Sequence, residues 1–184
     1  MAAKSSLVNM TLCLTGVCLV CAALLGFVFV LTKAPIEAAA AAEAQAAIAK
    51  VLPDGGQISA EMPSDAEGID AYYVQSNGDA VSAYAVKTTT LGFGGPLTLM
   101  VGVLPDGTVY NTSVLAHTET PGLGAKCTEE NSHFREQWRG FAGNLAVTKD
   151  GGDVDAITAS TITSRAYTRA VAQAVELVKS LSNE

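Results

Sequence analysis

The sequence predicts an α+β protein in which a single N-terminal transmembrane helix precedes one domain with an antiparallel or mixed sheet and flanking helices. Three observations predict this fold: a charge-free apolar run near the N-terminus, two hairpin patterns in the middle of the chain, and a helical apolar face near its end. Charged residues make up only 16% of the 184 residues, against about 25% in ordinary soluble domains. This low share indicates that one segment is apolar enough for a membrane.

The N-terminal apolar run extends from Ser6 to Thr32 without a charged residue. About 20 apolar residues cross a bilayer core, so the run is long enough to span it. The alternative is a cleaved secretory signal peptide, whose apolar region is usually about 7–15 residues. We therefore expect an uncleaved anchor over residues 1–33. Lysines lie on both sides in nearly equal number, so the positive-inside rule leaves the orientation open.

The cysteines and histidines predict neither a disulfide in the domain nor a metal site. Three cysteines lie inside the span, where small apolar packing is their simplest interpretation and contact with a partner's cluster stays open: Cys13, Cys18 and Cys21. Cys127 is alone beyond the membrane, which leaves it no partner for an internal disulfide. His117 and His133 fit no zinc-ligand spacing.

An alanine-rich segment follows the span. Alanine is the best helix former, so residues 34–56 are expected to form a helical stalk or linker, broken at Pro53-Asp54-Gly55-Gly56. The remaining residues, 57–184, are expected to form the domain.

Four strands are predicted in this domain, as two hairpins: 71–76 with 80–87, and 97–104 with 108–115. The turn signals are Asn77-Gly78-Asp79 and Pro105-Asp106-Gly107. A glycine-rich segment, Leu91-Gly92-Phe93-Gly94-Gly95-Pro96, is interpreted as a tight turn before the third strand.

Two helices are predicted after the strands. Ser132–Arg139 has the pattern of a short amphipathic helix. The last helix places apolar residues at alternating spacings of four and three: Tyr167, Val171, Ala174, Val178 and Leu181. Strands first and helices afterwards predict helices packed on one side of a sheet.

The common enzyme motifs are absent. The sequence has no G-x-S-x-G, no P-loop and no dinucleotide-binding G-x-G-x-x-G. The net charge of −7 argues against a nucleic-acid partner, because neutralising phosphates needs clustered Lys and Arg.

Two segments have the composition of a binding site. The first, from His117 to Lys126, follows a strand and contains glycines that let a ligand approach the backbone, although a plain surface loop is also possible. The second, from Asp155 to Arg165, places five hydroxyl residues just before the last helix. Hydroxyls there act as helix caps, and a helix start also attracts phosphate, so both interpretations stay open.

Both segments resemble the FMN-binding domain shared by the G subunit of the Rnf electron-transport complex and the C subunit of the sodium-pumping NADH:quinone oxidoreductase. The family's E-T-P-G-L-G loop is similar to Glu119–Gly124, and its flavinylation motif, close to D-x-x-[ST]-G-A-T-x-[ST], to Asp155–Thr163. The strand entry Gly94–Thr98 is also similar. The single anchor and the short length resemble the Rnf subunit more than its longer relative.

The resemblance implies one covalent FMN per chain, joined to Thr161 by a phosphoester and installed from FAD by a separate flavin transferase. The family's usual Gly-Ala stands here as Ala159-Ser160, which are both small. The remaining cofactor-binding residues follow from the same motifs. The resemblance implies that the isoalloxazine is walled by Glu119, Thr120, Leu123 and Gly124. It implies that Thr158, Ser160 and Thr163 lie near the phosphate, and that Ile162 also belongs to the cofactor-binding residues.

The resemblance further implies an electron-carrier subunit, inactive alone, of a membrane complex that couples ferredoxin:NAD+ electron transfer to Na+ or H+ translocation. The implied partners are the other subunits of that complex, the flavin transferase and membrane lipid, with no nucleic acid. The FMN domain would face the periplasmic or outer side of a bacterial inner membrane. Two alternatives stay open: the C subunit of the quinone reductase, and a membrane-anchored binding module without redox function.

Overall fold

The computed structural model describes residues 7–78 and 80–182 and begins with one long helix, α1 (Leu7–Val51). Its alanine-rich second half sustains the helix beyond Pro35, and the helix stops two residues before Pro53. The chain divides into two compact units, and the boundary between them in the sequence lies between Ala42 and Glu43. The predicted domain limits at residues 33 and 56 stay predictions.

The first unit consists of the apolar part of α1. Among the described residues, α1 is the one helix long and apolar enough to cross a membrane, and none of its most apolar window is buried. Two of its threonines bond within the helix, since Thr11 Oγ donates to Leu7 O and Thr32 Oγ donates to Val28 O, both at 2.9 Å. A membrane interior offers no water, so a spanning helix needs such internal partners.

The second unit is built on a six-stranded sheet whose ladders are all antiparallel. The strands are β1 (Gln57–Ile58), β2 (Met62–Pro63), β3 (Ile69–Asn77), β4 (Ala80–Leu91), β5 (Pro96–Val103) and β6 (Val109–His117). Their order is β1-β3-β4-β5-β6, with β2 pairing with β3.

Both predicted hairpins are present, as β3–β4 and β5–β6. Asp79, part of the first predicted turn, lies outside the described residues. The glycine-rich segment forms the β4–β5 turn, as predicted, with Leu91 opposite Pro96 and a 2.8 Å bond from Gly92 N–H to Gly95 O. The short strands β1 and β2 were not predicted, because two residues carry no periodicity.

The predicted helix over 132–139 is wrong in its length. Only α2 (His133–Glu136) is α-helical, capped by Ser132, whose hydroxyl accepts from Arg135 N–H. The chain then continues in turns whose N–H groups bond three residues back, at Trp138 and Arg139. Such bonds tighten the backbone and end the α-helix.

The last helix, α3 (Thr161–Ser182), has the predicted apolar face, with Leu181 at its partly buried end. It packs on one face of the sheet together with α2, around Tyr167 and Trp138, whose rings stack 5.4 Å apart. Cys127 is buried in this core as a free thiol, and burial raises its pKa to about 11.

Helices cover both faces of the sheet, which corrects the expectation that they pack on one side. The end of α1 buries Ala47, Ile48 and Val51 against the opposite face, over Met100 of β5. The reason is the sequence of β5, a nearly continuous apolar run that places apolar side chains on both faces and therefore needs cover on both. Gly102 makes this contact possible, because a Cβ there would collide with the carbonyl of Val51.

Candidate functional site

A cleft of about 350 Å³ lies where the β4–β5 turn, the loop after β6 and the start of α3 meet. Its walls come from both sequence motifs and from the turn: Phe93, Glu119, Thr120, Leu123, Gly124, Ala159, Ser160, Thr161, Ile162 and Thr163. The fold therefore brings the two motifs together at one site.

Glu119 joins the three segments of the cleft. Its side chain is only 5% exposed. Oε1 accepts from the backbone N–H of Phe93, and Oε2 accepts from Thr163 Oγ1, each at 2.8 Å. No ion pair to Glu119 is found within the described residues. A buried carboxylate needs such partners, so these two bonds fix the turn and the helix start around it.

The glycines beside Glu119 explain part of the loop motif. A Cβ at Gly124 would collide with Glu119 Oε2 and would lie 2.7 Å from Thr163 Oγ1. A Cβ at Gly92 would collide with Glu119 Oε1. Gly122 is required for a different reason: its φ of +76° favours glycine. The loop thus places glycine where the carboxylate is closest and where the chain turns.

The start of α3 carries hydroxyls in two different states. Ser164 Oγ is fully used, accepting from Ile157 N–H and donating to Ser160 O at 2.9 Å each. Ser160, just before the helix, is 7% exposed, and its Oγ has no hydrogen-bond partner within the described chain. A buried hydroxyl without a partner is costly, so Ser160 offers an unused polar group to a ligand in the cleft.

Ala159 adopts φ +60°, the one positive φ of a non-glycine residue within the described chain. This left-handed conformation is favourable for glycine and costs an L-residue with a Cβ about 1 kcal/mol or more. The motif that this segment resembles has glycine at this position, so the substitution of alanine introduces strain.

Thr161 is the first residue of α3 and is half-buried. Its Oγ1 accepts a 3.3 Å hydrogen bond from Lys149 Nζ. Lys149 belongs to a 3₁₀ turn, Thr148–Asp150. A bidentate salt bridge connects this turn to α3, since Arg165 donates to Asp150 at 2.6 and 2.7 Å. This hydrogen bonding by Arg165 lowers the pKa of Asp150.

Sequence reasoning missed Lys149 and Phe93. Lys149 lies outside the motif, 12 positions before Thr161, and no local pattern links the two residues. Phe93 was interpreted only as part of a turn, although an aromatic residue between glycines was a usable signal. It is 67% exposed, and with Leu123 and Ile162 it forms an apolar rim around the cleft.

All but one of the site residues predicted from sequence line the cleft. Thr158 is the exception; it is exposed and lies outside the lining. The histidines lie elsewhere: His117 Nδ1 accepts from the N–H of Glu119, and His133 contacts Asp155. The described residues contain no cluster of three or more potential metal ligands.

Comparison with known proteins identifies the family. Residues 92–176, which include every lining residue of the cleft, match the FMN-binding domain family. Over 95% of this chain, it is 33% identical to the G subunit of the proton-translocating ferredoxin:NAD(+) oxidoreductase complex of Clostridium ljungdahlii, of which it covers 93%. The chain belongs to this family of Rnf-type G subunits.

Two further G subunits show the same relationship. The chain is 37% identical over 73% of its length to the G subunit of the ion-translocating oxidoreductase complex of Cereibacter sphaeroides, covering 67% of that protein. It is 33% identical over 91% of its length to the protein of the same name from Pasteurella multocida, covering 92% of it.

Two solved structures of C subunits align with part of the chain. The alignment with NqrC of Shewanella oneidensis covers 60% of this chain and 61% of that chain at 22% identity and a TM-score of 0.46. The alignment with the C subunit of the Na+-translocating NADH-quinone reductase from Parabacteroides distasonis covers 59% of this chain and 62% of that chain at 24% identity and a TM-score of 0.47.

FMN is the cofactor of this G subunit, and the cleft fits it. The apolar rim suits a flat aromatic ring system. The Ser160 hydroxyl, which lacks a partner among the described residues, and the start of a 22-residue helix suit a phosphate, because free N–H groups and the helix dipole favour negative charge there. Both halves of the cofactor thus find matching chemistry in one cleft.

Proposed function

We propose that this G subunit is a membrane-anchored electron carrier that holds FMN covalently through a phosphoester to Thr161. The observation that carries the proposal is the position of the Thr161 hydroxyl. It lies in the cleft at the first residue of α3 and within hydrogen-bond distance of Lys149. Beside it is the Ser160 hydroxyl, which has no partner in the part of the chain that the structure describes. A phosphate bound there would meet a helix start, a free hydroxyl and a cation.

The attachment would be a phosphoryl transfer from FAD. Thr161 Oγ would attack the phosphorus on the FMN side, the bond between this phosphorus and the bridging oxygen would break, and AMP would leave with that oxygen. The hydroxyl proton passes to a base of the transferase. An external enzyme is needed because a threonine hydroxyl is a weak nucleophile. The cleft lining supplies no histidine, and its carboxylate, Glu119, is occupied by hydrogen bonds.

The predicted binding residues divide between the two ends of the cofactor. We infer that Glu119, Thr120, Leu123, Gly124 and Ile162 surround the isoalloxazine. The phosphate lies near Thr158, Ser160 and Thr163. Thr163 would bind the phosphate through its backbone N–H, since its hydroxyl already donates to Glu119.

The cofactor supplies the redox chemistry, since a bound flavin passes one or two electrons. The chain's own residues bind and orient it. A covalent tether prevents loss of the cofactor and keeps it at high effective concentration near its partners. This role requires no general acid or base in the cleft.

The proposed setting is an Rnf-type complex that couples electron transfer between ferredoxin and NAD+ to translocation of Na+ or H+. Similarity over nearly the full length of the G subunit from a ferredoxin:NAD(+) oxidoreductase complex supports this setting. The partners are the other subunits of the complex, the flavin transferase during maturation, and membrane lipid around α1. The domain faces the periplasmic or outer side.

The test is flavin fluorescence of the denatured protein band after co-expression with a flavin transferase. Wild type is expected to fluoresce, Thr161→Ala to be dark, and Thr161→Ser, which keeps the hydroxyl, to retain fluorescence. Ser180→Ala, at the far end of α3, is the control for a remote hydroxyl. A fluorescent Thr161→Ala band would place the attachment elsewhere and contradict the proposal.

A second experiment addresses setting and orientation. The other subunits of a ferredoxin:NAD+ oxidoreductase should copurify with the wild-type protein from membranes. Copurification of quinone reductase subunits would favour the alternative. An impermeant thiol reagent should modify Ser180→Cys in intact spheroplasts if the domain faces outward. Labelling that requires lysis would reverse the orientation.

A further inference from the structure

Lys149 is a cation within hydrogen-bond distance of the proposed attachment atom. Its Nζ donates to Thr161 Oγ1 at 3.3 Å, while the rest of the residue is exposed on its 3₁₀ turn. Nothing in the packing of the core requires this side chain. Its contact with Thr161 therefore indicates a role in the cleft and not in the stability of the core.

The neighbouring cation, Arg165, is already neutralised. It forms two hydrogen bonds to Asp150, at 2.6 and 2.7 Å, and this carboxylate balances its charge. The same bridge fastens the turn that carries Lys149 to the first turns of α3. Gly151, at φ +84°, ends the 3₁₀ turn, and Thr148 N–H bonds Val154 O at 2.9 Å. The bridge thus fastens the turn that carries Lys149, and Lys149 itself forms no salt bridge within the described residues.

A second observation points to an anion at the same place. Ser160 Oγ is buried, lacks a partner within the described chain, and its residue lines the cleft next to Thr161. A phosphodiester formed on Thr161 carries one negative charge and non-bridging oxygens that accept hydrogen bonds. In a chain of net charge −7, with the carboxylate of Glu119 in the same cleft, that charge needs a local cation.

We propose that Lys149 is the positioning residue for the flavin phosphate, an inference that rests on the proposed attachment at Thr161. Before transfer, Lys149 donates to Thr161 Oγ and orients its lone pairs. After transfer, the ammonium pairs with a non-bridging phosphate oxygen, while Ser160 Oγ donates to the phosphate. The Asp150–Arg165 salt bridge holds the turn at a constant position against the helix.

The first measurement is the initial rate of flavin transfer to the purified full-length apoprotein in detergent, with purified transferase and FAD. Lys149→Met removes the charge and keeps the length of the side chain, and we expect loading about tenfold slower. Lys149→Arg should restore most of the rate. Lys126→Met, on the other 3₁₀ turn (Gly124–Thr128), makes the same change in net charge outside the cleft lining and should load like wild type.

The second measurement separates phosphate binding from transferase recognition. The melting temperature is taken for the apo and fully loaded forms of each variant, after long incubation where loading is slow. Lys149→Met should leave the apo value unchanged, because the side chain is exposed, and should lose most of the rise that loading produces in wild type. Lys126→Met should retain that rise.

The outcomes are distinguishable. Equal loading rates and an equal rise for wild type and Lys149→Met would overturn this inference and leave the attachment at Thr161 intact. Slow loading with an unchanged rise would overturn it too, because Lys149 would then act on the transferase and not on the bound phosphate. A wild type that does not load at all, with the transferase active on a control substrate, would refute the proposed function itself.

Discussion

Large apolar side chains are exposed in two main places, along the first half of α1 and at the mouth of the cleft. On α1 they surround the helix on every side, from Leu7 to Ile36. At the cleft they form the rim around polar hydroxyls, where Phe93, Ile162 and Leu123 are 67%, 53% and 45% exposed. Both regions therefore present apolar surface that a soluble domain normally buries.

The polar atoms distinguish the two regions. Along α1, Thr11 and Thr32 donate back to carbonyls of their own helix. In the cleft, Ser160 Oγ lacks any partner within the described residues. Lipid tails offer no hydrogen bonds, so a spanning segment must satisfy itself, whereas a bound cofactor supplies partners. One surface therefore suits lipid, and the other suits a ligand with a polar end.

The largest effect is expected from a charge in the apolar helix. Leu19→Arg should oppose insertion by about 3 kcal/mol, and much of the protein should leave the membrane fraction on carbonate extraction. Leu123→Arg, which places the same charge at the cleft rim, should stay in the membrane fraction. Equal extraction of both variants would erase the distinction between the two surfaces.

The buried carboxylate of the cleft comes next. Glu119→Ala removes the partners of Phe93 N–H and the Thr163 hydroxyl and should lower the free energy of unfolding by about 3 kcal/mol. Glu119→Gln should lose under half of that, because an amide can accept from Phe93 and donate to Thr163. The probe is fluorescence of Trp138, the single, fully buried tryptophan, during urea unfolding in detergent. Equal losses would mean that charge, and not hydrogen bonding, is what matters.

Alanine substitutions at two loop glycines distinguish the cost of a steric clash from the cost of backbone strain. Gly124→Ala forces a methyl against Glu119 and Thr163 and should destabilise the domain by about 2 kcal/mol. Gly122→Ala has open space around it but a φ of +76°, so about 1 kcal/mol is expected. Urea unfolding measures both. A larger loss at Gly122 would show that the turn, and not the approach of the carboxylate, decides the loop sequence.

The smallest effect is a gain. Ala159→Gly relieves the left-handed conformation at φ +60° and should stabilise the domain by about 1 kcal/mol. Ala156→Gly, close by at an ordinary φ, should destabilise it or leave it unchanged. A loss of stability in Ala159→Gly would mean that the Cβ of Ala159 contributes packing that outweighs its strain.

Local patterns predicted much of the fold. The two hairpins and the apolar face of α3 followed from turn chemistry and periodicity, because these involve residues a few positions apart. The cover that α1 provides for the second face of the sheet was missed. Ala47, Ile48 and Val51 resemble the rest of an alanine-rich helix, and only the pairing of β4 with β5 creates the surface that they bury.

The anchor, the domain's α+β class and the two motifs can be predicted from the amino-acid sequence, since hydropathy, periodicity and glycine placement involve residues close together in the chain. Which groups contact one another depends on the tertiary structure. Glu119 reaches Phe93 across 26 positions and Thr163 across 44, and Lys149 meets Thr161 because a bridged turn lies against α3. Such contacts depend on sheet pairing and helix packing, which bring distant segments together and leave no periodic trace in the chain.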